Sequence, residues 1–495
     1  MASDRMASDS MASDRKVGHG AVWAVLGQGT GQVLSLLLFL VIARFVSKES
    51  FGLVSVSLAT IEVARRVLID PLTQVVTAKP GVTDRDFNFC FFVVVVVAGT
   101  LALILFFGAP WISAMIGTPA AADTLHILSA ILLAFGLSAT HGAWLVRGLQ
   151  FRALALRSVA SVIAGGVVGI GMALNGYDLW SLVGQQLTIQ TVSVITLWYG
   201  TSWRPTLAFS WREGRGSVGQ AAHIATSAIW TSIALDADIF FASAFFGLTA
   251  AGVYNAGKRI MLAANMLLVN TISAVAMPTF ANIGRHQDRG PAFLNGLRLT
   301  SAMTAPAFAG MAATAPLLVR VILGERWSDV SLIITALAAS GYALSIGQFA
   351  TSILLVQQRP HLDSLTSAVA AIVNVTTFFM VLRFGPVALA ATVSATTIGV
   401  LPVRLRFAMR ELGIRWGQIV QVLLPSLVAA GVMATVLIVI RAMLPALPPP
   451  LGLGIQIPLG MACYALAMRL VSPALFQESS RAVGQLLKRR RVSPS

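Results

Sequence analysis

Residues 89–110 read FCFFVVVVVAGTLALILFFGAP, an unbroken run without one charged side chain. As a helix rising about 1.5 Å per residue, the run reaches roughly 33 Å, enough to cross a hydrocarbon core about 30 Å thick. A helix pairs its own backbone donors and acceptors, so such a run is stable in lipid, where water cannot satisfy them.

Similar blocks recur on both sides of it. The spacing predicts fourteen helices, over residues 20–44, 51–77, 89–110, 124–146, 156–175, 178–199, 219–245, 250–280, 293–322, 329–356, 361–383, 385–408, 415–441 and 451–471. Composition agrees: 56% of the 495 residues are hydrophobic and 11% are charged, against roughly 25% charged in a soluble domain. The expected fold class is an all-α polytopic membrane protein.

The net charge of +16 does not point to nucleic acid, because Lys and Arg fall in short segments between apolar blocks and not on one polar face. With the amino terminus placed in the cytoplasm, the cytoplasmic segments and flanking helix ends hold 25 Lys and Arg and the opposite side holds six; the other four of the 35 lie inside helices. That asymmetry follows the positive-inside bias and predicts fourteen spans with both ends in the cytoplasm. The repeated MASD at Met1, Met6 and Met11 reads as a low-complexity leader with several start sites. No cleavable signal precedes the first block, and the first helix can serve as the insertion signal.

Phe45 and Gly52-Leu53-Val54 recur as Phe245 and Gly252-Val253-Tyr254, offset by 200 residues. An even number of spans per half gives parallel repeats about an axis along the membrane normal. The expected organisation is a disordered cytoplasmic leader (1–19), a six-helix lobe (20–199), a cytoplasmic linker (200–218), a second six-helix lobe (219–410), two added helices (411–472) and a basic cytoplasmic tail (473–495) carrying Lys488-Arg489-Arg490-Arg491.

Chemistry at membrane depth rests on few residues. Glu62, Arg65, Arg66 and Asp70 share the second helix; helical spacing sets Glu62 within a turn of both arginines and Asp70 four residues beyond Arg66. A charge at the bilayer centre costs about 2.5–3.5 kcal/mol on insertion scales and faces a bundle interior or a wet cavity. One reading is a cationic site for a phosphate-bearing ligand, since guanidinium meets such oxygens with a bidentate fork. The other is a self-neutralised structural network. Lys258 and Arg259 on the eighth helix read either as ligand contacts or as side chains snorkelling to the interface. Asp236 and Asp238 resemble the Asp-x-Asp of glycosyltransferases, but Ile233-Ala234-Leu235 and Ile239-Phe240-Phe241 flank them and no nucleotide-binding domain surrounds them. Pairing with the eighth helix is favoured over proton or sodium coupling.

No metal site or cofactor is expected. Cys90 and Cys463 are distant and set in apolar surroundings, and His141 and His223 lack partners at ligand spacing, so both read as polar groups of helix interfaces. Gly27-Gln28-Gly29-Thr30-Gly31 follows no strand and reads as a closely packed helix, not a nucleotide loop. Gly165, Gly166, Gly169 and Gly171 read as a packing face. The chain carries no Walker-type loop.

Several motifs resemble Wzx-type oligosaccharide flippases of the polysaccharide-transporter group, within the multidrug/oligosaccharidyl-lipid/polysaccharide superfamily. They are Ala43-Arg44-Phe45-Val46-Ser47, Phe51-Gly52-Leu53-Val54, Asp70, Gln150-Phe151-Arg152, Gly176-Tyr177-Asp178-Leu179-Trp180 with Gln185-Gln186, Trp203-Arg204-Pro205, the stretch from Leu235 to Arg259, Pro278 and Gly324-Glu325-Arg326-Trp327. The resemblance covers roughly residues 20–440. It implies a non-enzymatic flippase of a bacterial inner membrane, working by alternating access on a polyprenyl (undecaprenyl) diphosphate-linked oligosaccharide for polysaccharide biosynthesis. The partners it implies are that lipid-linked saccharide, the bilayer, and polysaccharide polymerase and assembly proteins, with no nucleic acid. Lys258, where the family more often carries an aromatic residue, and the Glu62-Arg65-Arg66 cluster depart from the family pattern. Alternatives are an exporter of another cargo on the same architecture, such as lipid II or a drug, and a polytopic polysaccharide polymerase; the latter needs a large outer loop, and no predicted connection exceeds about 20 residues.

Overall fold

The computed structural model describes residues 29–208, 210–281, 289–356, 360–443 and 447–473, and every regular element among them is helical. The leader, residues 20–28 of the first predicted helix and the tail from 474 lie outside the described residues.

In chain order the helices are α1 (Gly29–Ile42), α2 (Lys48–Ala64), α3 (Asp70–Ala78), α4 (Asp84–Met115), α5 (Ala122–Leu128), α6 (Ala130–Arg147), α7 (Phe151–Leu174), α8 (Asp178–Gly200), α9 (Trp211–Ala281), α10 (Arg289–Ile322), α11 (Val330–Val356), α12 (Pro360–Val381), α13 (Pro386–Leu412), α14 (Trp416–Met443) and α15 (Pro449–Val471). A five-residue π turn, Arg65–Ile69, joins α2 to α3. Gly247, at φ 83°, breaks α9 into two rods. Each of the fourteen predicted stretches falls on a helical stretch. Among the described residues, ten helices are long and apolar enough to cross a membrane by length and composition.

α4 shows why the blocks form. Thr83 starts it with a capping box: its backbone N–H donates to Asp86 Oδ2 at 2.9 Å while the two side chains meet at 3.0 Å. Two orphan donors of the first turn are thereby satisfied. Gly117, at φ 77°, turns the chain just beyond its end. Phe107, Trp111 and Met115 are 72%, 77% and 87% exposed, an arrangement suited to hydrocarbon and costly in water. The chain is a multi-pass membrane protein.

It divides into two compact units, Met1–Asn255 and Ala256–Ser495. In the first, α7 and α8 form the most extensive pair. A Cβ on Gly165 would stand 2.4 Å from Ile189 and 2.9 Å from the Gln185 carbonyl oxygen; one on Gly166 would meet Leu38 of α1 at 2.5 Å. Gly169 is packed likewise, whereas Gly171 faces open space. His141 is fully buried in an aromatic box, 4.6 Å from the Trp198 ring and 5.1 Å from Trp203; His223 is exposed.

Among the described glycines of this unit, the closest approach to facing backbone joins the two copies of the short repeat. A Cβ on Gly52 would lie 1.9 Å from the Leu248 carbonyl oxygen, and one on Gly252 would lie 2.1 Å from the Lys48 carbonyl oxygen. One helical turn further, Asn255 Nδ2 donates to Ser55 Oγ at 2.5 Å. Lys48 and Leu248, Gly52 and Gly252, and Ser55 and Asn255 are all 200 residues apart, so the repeat copies cross reciprocally, each offering the same positions to the other.

In the second unit, Phe293, Leu297, Ile346, Ala350, Leu405, Met409, Ile419 and Val422 knit α10, α11, α13 and α14 into one core. Tyr464 donates to the Ala302 carbonyl at 2.9 Å and ties α15 to α10. A cleft of about 520 Å³ between α10, α14 and α15 is lined chiefly by apolar side chains, four of them methionines. Local turns repeat between the units: Gly117 and Gly324 each precede a short 3₁₀ turn, and Gly176 and Gly385 each precede a long helix, all four at φ between 77° and 92°. Only glycine adopts such φ values without strain.

Candidate intramembrane ionic site

The π turn decides the site's geometry. In a regular helix Asp70 would fall nearest Arg66, four residues back. A π turn stacks residue i against residue i+5, and the Asp70 N–H bonds to the Arg65 carbonyl. Asp70 therefore pairs with Arg65: Arg65 Nη1 reaches both its carboxylate oxygens, at 2.7 and 2.8 Å. This departs from the expected spacing for a local reason that periodicity cannot reveal.

Arg65 also donates through Nε to Glu62 Oε2 at 3.0 Å and through Nη2 to Glu62 Oε1. Its guanidinium lies 5.1 Å from the centroid of Phe135 of α6. Arg66 turns to a different helix. Its Nη1 donates to Asp236 Oδ2 at 2.6 Å and to Ser232 Oγ at 3.2 Å, both on the first rod of α9, while its Nη2 stands 3.9 Å from Glu62 Oε1. Glu62, Arg65, Arg66, Asp70 and Asp236 thus form one network of two guanidinium groups and three carboxylates, formally −1. All five side chains keep between 19% and 38% of their surface exposed, so they border open space and are not sealed in a core.

Asp238 bonds within α9. It is buried and accepts from the Tyr254 hydroxyl at 2.8 Å across the Gly247 break. Lys258 and Arg259 are half-buried on α9 and belong to the second unit, beside Gly257, whose Cβ position meets Ile333 of α11.

Sequence reasoning missed three features. Asp236 binds the second helix, although no pattern links residues 170 positions apart. In the second unit Arg404 Nε stands 3.3 Å from Asp363 Oδ1, which also accepts from Thr351 Oγ1 at 2.8 Å. Asp178 accepts from the Ser47 N–H at 2.6 Å and from the Ser47 and Ser50 hydroxyls, clamping the start of α2 to the start of α8; its place at a helix N-terminus was the available signal. Among the described residues no group of three metal-ligating side chains occurs.

The arrangement holds and exchanges charge. Each guanidinium can trade a carboxylate for another anion, and each freed carboxylate can take a proton or cation. Nothing in it resembles a nucleophile with its base. Fold and site together define a multi-pass helical membrane protein with an ionic network among Glu62, Arg65, Arg66, Asp70 and Asp236. Residues 41–332, more than half of the chain, match the family described as polysaccharide biosynthesis protein, and the chain belongs to that family.

Among its relatives, the succinoglycan biosynthesis transport protein ExoT of Rhizobium meliloti is 26% identical over 64% of this chain and 65% of its own length. The alignment therefore spans just under two thirds of that relative. The lipopolysaccharide biosynthesis protein WzxC of Escherichia coli is 21% identical over 69% of this chain and 70% of its own. Among solved structures, the lipid II flippase MurJ in an inward closed conformation superposes with a TM-score of 0.75 at 13% identity, covering 92% of this chain and 99% of that one. That likeness is one of fold.

Proposed function

We propose that the chain is a flippase that moves a polyprenyl (undecaprenyl) diphosphate-linked oligosaccharide from the cytoplasmic to the outer leaflet of a bacterial inner membrane, supplying polysaccharide biosynthesis. The observation that carries this reading is the partly exposed ionic network of Arg65 and Arg66 in a chain with a MurJ-like fold. A group that is anionic and strongly hydrated needs cationic partners to leave water, which Arg65 and Arg66 supply, whereas an apolar drug needs none. The names of ExoT and WzxC support a polysaccharide-pathway cargo.

In this reading fourteen spans place both termini in the cytoplasm, and two six-helix lobes followed by two added helices enclose the path. Alternating access carries the diphosphate and sugars past Arg65 and Arg66, with Lys258 and Arg259 as contacts from the second lobe. Glu62, Asp70 and Asp236 hold the arginines until the cargo displaces them, and their surplus charge keeps the anion from binding too tightly to leave. Asp238 serves as a counter-charge or coupling group. The lipid tail stays in the bilayer, and the methionine-lined cleft of the second unit suits an isoprenoid chain. No covalent step is involved, so the chain is not an enzyme. Polysaccharide polymerase and assembly proteins act on what it delivers.

Deleting the chain tests this. Surface or secreted polysaccharide should disappear while the lipid-linked repeat unit accumulates on the cytoplasmic leaflet. Repeat units that reach the outer leaflet and stay unpolymerised there would assign the chain to polymerisation instead. The likeness to MurJ favours lipid II as a second reading of the cargo; restored growth of cells depleted of their lipid II flippase is its test.

A further inference from the structure

Arg65 and Arg66 of the π turn are held by carboxylates, and another cation in the same unit has no such partner among the described residues. Arg157 lies six residues into α7, about 9 Å along the helix. The helix starts five residues earlier than its predicted bound at 156, which places Arg157 within its second turn. Its Nε is closed off from solvent with no hydrogen-bond partner, and among the described residues the guanidinium forms no hydrogen bond or ion pair.

The helix cannot rotate to relieve it. Ser158, the next residue, abuts Gly31 of α1, where a Cβ would stand 2.3 Å from Ser158 Oγ. Gly165, Gly166 and Gly169 fix the rest of the register against α8 and α1. The packing therefore fixes the helix face that carries this permanently charged guanidinium, which has no counter-ion among the described residues. A guanidinium stays protonated at any working pH, so the site answers to an anion and not to a proton. Phosphate oxygens match its geometry with two parallel charge-assisted bonds.

We propose that Arg157 is an anion-binding residue that takes a phosphate oxygen of the lipid-linked diphosphate before the carboxylate-held Arg65 and Arg66 can engage it. This rests on the flippase reading and names the residue that makes first contact with the cargo. In the proposed topology α7 starts on the cytoplasmic side, where the cargo is made. The chemistry is shared with the phosphate of an ordinary phospholipid headgroup, and the experiment separates the two.

The full-length chain in lipid nanodiscs is titrated with undecaprenyl diphosphate, with uncharged undecaprenol and with phosphatidylglycerol, following binding and thermal stability. Undecaprenyl diphosphate should bind the unaltered protein and raise its melting temperature. R157Q should weaken that binding by about tenfold or more, the scale of a charge-assisted hydrogen bond, and abolish the thermal shift. R157K should retain part of both, and undecaprenol binding should not change. Because R157Q removes an unpaired cation, its melting temperature without ligand should hold or rise. A lower melting temperature with unchanged diphosphate affinity marks Arg157 as structural and overturns the proposal, as does competition by phosphatidylglycerol at equal concentration. If the unaltered protein binds no undecaprenyl diphosphate, the flippase reading fails with it; if only R157Q matches the unaltered protein, this inference fails alone.

Discussion

Arg65 commits all three of its nitrogens to Glu62 and Asp70, and Arg66 binds Asp236 on another helix. Removing one member of such a pair strands the other, which for a buried pair costs about 3–5 kcal/mol; the 24% and 19% exposure of Arg66 and Asp236 brings the expectation toward the lower end. R66A should therefore lower the unfolding midpoint clearly, and R66A/D236N should recover most of the loss. Equal melting of the two variants would show that the pair does not couple. Transport needs a wider change: Glu62→Gln, Asp70→Asn and Asp236→Asn combined with Arg65→Ala and Arg66→Ala deletes both charge signs. That neutral variant should fold and fail to transport; normal transport would make the network structural and move the cargo site toward Lys258 and Arg259. The residue types at this site were legible in the sequence because charges inside apolar runs stand out. Their partners were not, since the π turn shifts Asp70 from Arg66 to Arg65 and Asp236 arrives from a helix 170 positions away.

At the scale of elements, the reciprocal glycine crossing leaves no room for a side chain at either position. A methyl group at Gly52 or Gly252 would strike a carbonyl oxygen of the facing helix, and backbone cannot swing aside as a long side chain can. G52A and G252A should each cost about 1–3 kcal/mol or more through overpacking, read as a lower melting temperature in detergent. G171A is the control: the position is helical and faces open space, so alanine should be neutral or stabilise by up to about 1 kcal/mol. Comparable losses in all three would mean that the crossing is loose. The Phe45/Phe245 repeat hinted at this joint from sequence, because a position where only hydrogen fits keeps its glycine in both copies. Helix starts were less legible. α4 begins five residues before its apolar run because the Thr83–Asp86 capping box extends the helix into polar sequence, and α7 likewise takes in Phe151–Ala155.

For the whole molecule, apolar run length sufficed to locate the helices, since a bilayer imposes one length on every span. The side of the membrane each loop occupies rests on the Lys and Arg asymmetry alone. Single cysteines, in a chain with Cys90 and Cys463 replaced by Ser, test it: Pro119→Cys and Pro448→Cys should react with an impermeant reagent added outside spheroplasts, while Pro80→Cys and Leu412→Cys should react only after permeabilisation. Labelling of all four from outside would break the fourteen-span topology.

The central claim is that this chain alone carries a lipid-linked saccharide diphosphate across a bilayer. Purified protein in liposomes loaded with a fluorescent undecaprenyl diphosphate oligosaccharide measures that directly, using an impermeant glycosidase or quencher to count the molecules exposed on the outer leaflet. Both leaflets should become accessible within minutes, with no such exchange in protein-free vesicles or with the neutral variant of the Arg65–Arg66 network. A probe population that stays divided between the leaflets, in vesicles shown to hold folded protein, would contradict the account.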